Sequence, residues 1–326
     1  MIGAGSWGTA LALQFARGGR TVRLWGRDAG QVATMREARE NRRYLPGVPF
    51  AENLALEDDL EKCLLGVRDI LVAVPSHALR ETLGRIGPLL GGSERISWAT
   101  KGFEVESGKL PHQVVQEILG SDRPMAVLSG PTFAKEVGAG LPTALTIAAN
   151  DESFANDLAA ALSGDNFRAY TSSDIVGVEV GGAVKNVLAI GAGISDGLGF
   201  GANTRIALIN RGLAEMTRLG VALGARQDTF TGLAGMGDLV LTCTDNLSRN
   251  RRMGLAIARG RSIADTQHDI GQVVEGVVAA KAVHRVADRL GVEMPICQQI
   301  YRILYEDAPP RDAVAALMGR ALKSED

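Results

Sequence analysis

The sequence predicts an α/β fold in which a parallel-sheet domain is followed by a mostly α-helical C-terminal domain. Three observations carry that prediction. Gly3-Ala4-Gly5-Ser6-Trp7-Gly8 is a G-x-G-x-x-G turn running directly into the helical stretch Thr9-Ala10-Leu11-Ala12-Leu13. Short apolar strands then alternate with helical segments through the first half, the pattern of a parallel sheet with crossover helices. After Asp174 strand signals largely vanish and 3.6-residue periodicity takes over.

Glycine at the three motif positions allows a tight turn, a close backbone approach to a pyrophosphate, and close helix-on-strand packing, so the domain is expected to be Rossmann-like. Only Met1 and Ile2 precede Gly3, so most of the first strand is expected to be missing. The first helix should run through about Arg17 and stop at Gly18-Gly19. Strands are expected at 21–25, 69–74, 95–99, 125–128 and 143–148, with a last extended piece at 167–170. Pro75 and Gly130-Pro131 mark two strand ends. Ser172, Ser173 or Asp174 can cap a long helix towards Ser195. Further helices are expected at 204–219, 251–258, 275–290, 296–304 and 311–322. The boundary is placed so that residues 1–171 form the dinucleotide-binding domain and 172–326 a helical substrate-binding domain, with a cleft between them.

A net charge of −2 gives no reason to expect nucleic acid or an anionic membrane surface as a partner. Three cysteines, Cys63, Cys243 and Cys297, lack metal-ligand spacing and leave an odd count, which suits a reducing compartment. No signal peptide and no apolar run of membrane-spanning length is evident, so a soluble cytoplasmic protein without stable membrane insertion is expected.

The residues after the second strand bear on cofactor choice. An acidic side chain there would grip the adenosine ribose, but Trp25 is followed by Gly26 and Arg27. Arg27 can hold a 2′-phosphate or stack on adenine, so NADPH is expected to serve at least as well as NADH. An exposed loop arginine is the plain alternative, and Asp28 remains within reach of a ribose hydroxyl.

Several constellations can carry chemistry. Lys185 lies in Gly181-Gly182-Ala183-Val184-Lys185-Asn186, among small and apolar neighbours on a helix. Burial there would lower its pKa into a useful acid/base range, unless it forms a structural ion pair. Lys101 follows a strand at the carboxyl edge of the sheet, where it could polarise a carbonyl or neutralise a phosphate, or simply be solvated. Ser248-Arg249-Asn250-Arg251-Arg252 offers hydroxyl, amide and guanidinium groups that could converge with a helix N-terminus on one phosphate. Gly130 and Thr132, in Ser129-Gly130-Pro131-Thr132, could present an amide and a hydroxyl to substrate. Asp238 ends a glycine-dense loop and could orient Lys185, accept a substrate hydroxyl, or cap a helix. His77 has no evident Arg or Asp partner and is a weaker proton donor.

Taken together, these motifs resemble the bacterial-type NAD(P)-dependent glycerol-3-phosphate dehydrogenases. The resemblance spans almost the whole chain: GAGSWGTALA, NRRYLPG, VPSHALR, Lys101-Gly102, SGPTFAKE, GVEVGGAVKNVLAI, GLAGMGDLVLTCT, SRNRR and VVEG. It implies reversible reduction of dihydroxyacetone phosphate to sn-glycerol 3-phosphate, at the head of phospholipid synthesis, and a homodimer. It implies that Lys185 is the proton acceptor and that Lys101 touches both cofactor and substrate. Gly130, Thr132, Asp238, Ser248, Arg249 and Asn250 become substrate contacts. Gly3, Gly5, Ser6, Trp7, Gly8, Arg27, Ala134, Arg249, Val273 and Glu275 become cofactor positions. A β-hydroxyacid dehydrogenase would share this layout but need a carboxylate site, and a dinucleotide sensor would have no use for Lys185 or SRNRR.

Overall fold

The computed structural model describes residues 1–320. Its strands are β1 Val22–Trp25, β2 Glu40–Asn41, β3 Leu45–Pro49, β4 Leu54–Glu57, β5 Asp69–Val72, β6 Arg95–Trp98, β7 Met125–Ser129, β8 Thr143–Ala149 and β9 Phe167–Ser172. β1 and β4 pair in parallel, and β5-β6-β7-β8-β9 form a second run. Ile2 joins the two, bridging in parallel to both Trp25 and Val72. Its N–H donates to Leu71 and its carbonyl accepts from Ala73, both at 2.8 Å. Ile2 is fully buried, so the residue just before the glycine turn sits in the middle of the sheet.

The sheet is parallel up to β7 but turns at β7–β8, which pair antiparallel before β8 and β9 run parallel to each other. Only α6 Ala134–Ala139 separates β7 from β8. The hairpin β2–β3 and strand β4 lie where no strand is expected from the sequence. Each is short, and β3 holds two prolines and a glycine that mask its extended character.

The helices flanking the sheet are α1 Ser6–Arg17, α2 Ala29–Ala38, α3 Leu60–Leu64, α4 Leu79–Ile86, α5 Pro111–Leu119, α6 and α7 Glu152–Leu162. The second half comprises α8 Ile175–Gly197, α9 Ala202–Ala222, α10 Asp238–Thr244, α11 Arg249–Ala258, α12 Ile263–Ile270, α13 Glu275–Leu290, α14 Pro295–Tyr305 and α15 Pro310–Met318. The helix expected at 311–322 therefore starts one residue earlier, and positions 321–322 lie outside the described residues. Asp174 caps α8 by accepting the Gly177 N–H at 2.8 Å.

α8 is the axis of the second half. It is long and apolar enough to cross a membrane, contrary to the expectation from sequence, yet nearly all of it is buried inside the protein. Its glycines explain how. A Cβ on Gly193 would meet the Arg251 carbonyl at 2.1 Å, and one on Gly254 would meet the Ile190 carbonyl at 2.0 Å. α8 and α11 therefore touch backbone to backbone, which brings the start of α11 close to the middle of α8.

Candidate active site

The turn at residues 3–8 divides its three glycines among three tasks. Gly3 has φ +112°, and a Cβ there would lie 2.6 Å from the Ala73 carbonyl. A Cβ on Gly8 would meet the Gly3 carbonyl at 1.9 Å, so Gly8 lets α1 fold back onto the turn. Gly5 faces open space, with nothing within 4 Å. As the N-cap of α1, Gly5 has no side chain to cap the helix. The first-turn amides therefore point outward with their share of the helix dipole, the arrangement that receives phosphate groups. The Trp7 indole N–H is buried without a partner. An open cradle, uncapped amides and an orphaned donor all fit a dinucleotide.

At the next strand end, a Cβ on Gly26 would meet Val32 at 2.7 Å and Ala4 at 3.2 Å, so the ribose-gripping acid has no room there. Asp28 is taken up as the cap of α2, accepting the Gln31 N–H at 3.0 Å. Arg27 between them is exposed.

The second centre is built from three distant pieces of chain. Lys185, on α8, donates to Asp238 Oδ1 at 2.5 Å, across 53 residues. Lys101, in the loop after β6, donates to Asp238 Oδ2 at 2.6 Å, across 137 residues. Lys185 also donates to Thr242 Oγ1 at 3.0 Å, while the Thr242 hydroxyl donates to the Asp238 carbonyl at 2.6 Å. Asp238 is wholly buried and Lys185 is 6% exposed. Burial lowers Lys185 from its ordinary value to about 8. The Asp238 charge opposes that fall and the Lys101 charge reinforces it. Burial alone would raise Asp238, but the two ammonium groups overcome it and hold the carboxyl below its usual range.

Glycine makes this cluster possible. A Cβ on Gly181 would meet the Ala234 carbonyl at 2.4 Å, so α8 lets the 233–237 turn close in and delivers Asp238. Gly182 provides the seat for the Lys101 stem, since a Cβ there would meet Lys101 Cγ at 3.3 Å and Ser129 Oγ at 3.2 Å. Gly130 packs on β8, where a Cβ would lie 2.8 Å from the Leu145 Cα. The Thr132 hydroxyl turns back to the Gly130 carbonyl at 3.2 Å, and Ala134 opens α6.

The basic cluster is divided rather than convergent. Arg251 is buried, pairs with Asp196 at 2.5 Å and donates to the Cys243 carbonyl at 3.1 Å. Ser248 caps α11 by accepting the Arg251 N–H at 3.2 Å. Asn250 donates to the Asn186 side chain at 2.7 Å and accepts from the Gly276 N–H at 2.9 Å. Arg249 alone reaches towards the glycine turn, and burial lowers its pKa. It donates to Gln272 Oε1 at 3.0 Å, the same atom that receives the Ser6 hydroxyl at 3.1 Å. Next to it, Glu275 accepts from the Ser76 hydroxyl at 3.0 Å, and burial pushes its carboxyl up. Val273 is exposed between these two anchors. The segment 272–275 thus touches the glycine turn, the loop after β5 and the start of α11 together.

Gln272, Ser76 and Thr242 escape the residue-by-residue reading. Thr242 has a local signal, being four residues from Asp238 and so on its helix face. Gln272 and Ser76 have none, because their partners lie far away in sequence. His77 sits exposed on the single turn Ser76–Ala78, away from any acidic partner among the described residues. The three cysteines are buried and free; burial raises Cys243 to about 12, which leaves it an inert thiol.

Known proteins are similar to this chain in sequence and fold. The N-terminal family model of NAD-dependent glycerol-3-phosphate dehydrogenase matches residues 1–155, and the C-terminal model matches residues 174–315. A relative from Tolumonas auensis, named glycerol-3-phosphate dehydrogenase [NAD(P)+], is 55% identical over all of this chain and 98% of its own length. One from Klebsiella pneumoniae with the same name is 56% identical over all of this chain and 96% of its own. The crystal structure of glycerol-3-phosphate dehydrogenase from Coxiella burnetii superposes with TM-score 0.95 at 51% identity, covering 98% of each chain. The yeast enzyme does so with TM-score 0.84 at 26% identity, over 96% of this chain and 97% of that one.

Proposed function

The chain belongs to the NAD-dependent glycerol-3-phosphate dehydrogenase family, and we propose that it reversibly reduces dihydroxyacetone phosphate to sn-glycerol 3-phosphate with NAD(P)H, supplying glycerophospholipid synthesis. The observation that carries this reading is the pairing of Lys185 and Lys101 on one buried aspartate beside an open dinucleotide turn. In this reading residues 1–171 hold the nucleotide and 172–326 hold the substrate. Gly3, Gly5, Ser6, Trp7 and Gly8 cradle the pyrophosphate, with Arg27, Ala134, Val273 and Glu275 along the rest of the nucleotide.

A nicotinamide cofactor, when bound at the glycine turn, would supply the hydride for the ketone carbon. Lys185, as ammonium, gives its proton to the oxygen on which negative charge grows; in the reverse direction its free amine takes the proton back. Asp238 holds that ammonium in place and keeps it charged despite burial. Lys101 lies on the other carboxylate oxygen and adds positive potential in a water-poor pocket, where such stabilisation reaches a few kcal/mol (about 3–4). Arg249, with Ser248 and Asn250 at the start of α11, takes the phosphate of the substrate, while Gly130 and Thr132 border the ketone. Anchoring the phosphate away from the reacting carbon uses its binding energy to orient the ketone.

A β-hydroxyacid dehydrogenase would need a carboxylate site where this reading places a phosphate site, and the choice of substrate separates the two. Three buried free thiols suit a cytoplasmic enzyme, and a homodimer completes the reading. Following nicotinamide absorbance with dihydroxyacetone phosphate, using NADH and NADPH in parallel, tests reaction and cofactor together. Turnover with both is expected. Turnover with a 3-hydroxyacid and none with the phosphoketone would replace this reading with its rival.

A further inference from the structure

A second buried carboxylate sits on α8, outside the machinery described above. Glu179 is 3% exposed, and all its partners lie on the sheet side of the molecule. Its Oε1 accepts the Trp98 indole N–H at 2.9 Å and the His112 backbone N–H at 2.8 Å. Its Oε2 meets His112 Nδ1 at 2.5 Å. Burial pushes the Glu179 carboxyl up, and the contacts with His112 and Trp98 hold it back. Among the described residues no lysine or arginine pairs with it, and His112 is the one titratable group against it. Three groups converge on this carboxylate, so removing it alone would leave buried N–H donors unpaired.

Its position along the chain shows what it connects. Trp98 ends β6, and Lys101 follows three residues later. Gly182, one turn beyond Glu179 on α8, is the seat of the Lys101 stem, with Cγ 3.3 Å and Cδ 3.4 Å from where a Cβ would be. The Glu179–Trp98 bond and the Gly182–Lys101 contact are thus successive contacts along one seam, about 5 Å apart. Next along the helix comes Lys185. Glu179 also serves the start of α5, whose N-cap Leu110 has no side-chain oxygen to offer. One carboxylate therefore pins β6, α5 and α8 where two lysines must share a single aspartate.

We infer that Glu179 is a positioning residue, which through Trp98 and His112 sets the distance of Lys101 from the Asp238–Lys185 pair. The inference rests on the functional reading above. Lys185 is faced by Asp238 and Thr242 from α10 and by Lys101 from the loop after β6, with the Cys243 thiol behind. If Lys101 drifts away, Lys185 loses a neighbouring like charge, and its ammonium holds on to higher pH.

The test compares wild type, Glu179→Leu, Glu179→Gln and Trp98→Phe. Two readouts are taken: the pH profile of kcat/KM for phosphoketone reduction, and the lysine titration followed by NMR on the nucleotide-free protein. Glu179→Leu should lower kcat roughly 10–100-fold, as misplacement of a reacting group does. It should also move the alkaline limb, and the Lys185 titration, above their wild-type position. Glu179→Gln keeps an acceptor for Trp98 and for the His112 N–H, so it should restore both. Trp98→Phe removes one donor and puts a smaller ring in a buried place, and should shift both readouts in the same direction by less. Should Glu179→Leu fail to fold, Trp98→Phe decides by the same criteria. A wild-type limb and titration in Glu179→Leu, or in Trp98→Phe where that variant decides, would overturn the inference. So would failure of Glu179→Gln to restore them. An inactive wild type would instead sink the functional reading and leave the titration to judge Glu179.

Discussion

The glycine turn and the lysine–aspartate centre solve opposite problems in one molecule. The turn is six consecutive residues that leave polar groups exposed: Gly5 has empty space above it and the α1 amides have no side-chain cap. The centre takes one residue from each of three segments, 53 and 137 residues apart, and sets two ammonium groups on one buried carboxylate. A site for a large anionic ligand must stay open, because the ligand itself completes the hydrogen bonds. A site that moves one proton by lysine is better closed, because burial, helped here by the Lys101 charge, brings Lys185 down to about 8.

The sharpest way to separate the two regions is Lys185→Ala. Turnover should fall about 10²–10⁴-fold, the range of general acid–base catalysis, while nucleotide affinity stays nearly unchanged. Steady-state kinetics and nucleotide titration by fluorescence read the two effects independently. Loss of affinity equal to the loss of turnover would merge the two regions.

Within the turn, Gly5→Ala and Gly8→Ala should part company. The methyl of Gly8→Ala falls 1.9 Å from a backbone oxygen, so the fold must shift, and overpacking of this kind costs about 1–3 kcal/mol. Thermal melts should show that loss for Gly8→Ala alone. Gly5→Ala has room in the protein and should weaken nucleotide binding without lowering the melting temperature. Equal melting losses would mean that the turn is not open where the structure leaves space.

Both directions of the reaction sharpen the reading of the closed centre. Reduction needs the Lys185 ammonium, so kcat/KM should be full below pH 8 and fall about tenfold per unit above it. Oxidation needs the free amine and should rise through the same pH. Parallel profiles in both directions would assign the proton to another group. The smallest effect belongs to the exposed edge of the open region. Arg27→Ala should raise KM for NADPH several-fold, short of the full strength of about 1.5–3 kcal/mol for a charged hydrogen bond, and leave NADH almost untouched.

Both regions left marks in the sequence, of different kinds. Gly3, Gly5 and Gly8 are legible because their spacing is the geometry: each glycine acts within a few residues of itself or on the adjoining strand. Lys185 is legible as anomalous, a charge among Gly181, Gly182 and Leu188, but its partner is not, and Asp238 read equally well as a helix cap. The SRNRR run is misleading as a unit. Five polar residues in a row look alike until α11 forms; then Ser248 caps, Arg251 turns inward to Asp196, and Arg249 alone reaches Gln272 beside the glycine turn.

By itself the sequence determined the sheet-then-helix order, the uncapped start of α1 and the small face of α8, because these depend on local spacing and on side-chain volume. The tertiary structure decided the sheet reversal at β7–β8, the split of the basic run, the reach of Gln272 to both Ser6 and Arg249, and the joining of Lys101 to Lys185 through Asp238. Those are contacts between distant segments. Their energies depend on burial and on distances of a few ångströms, which only the packing of α8 against its neighbours sets.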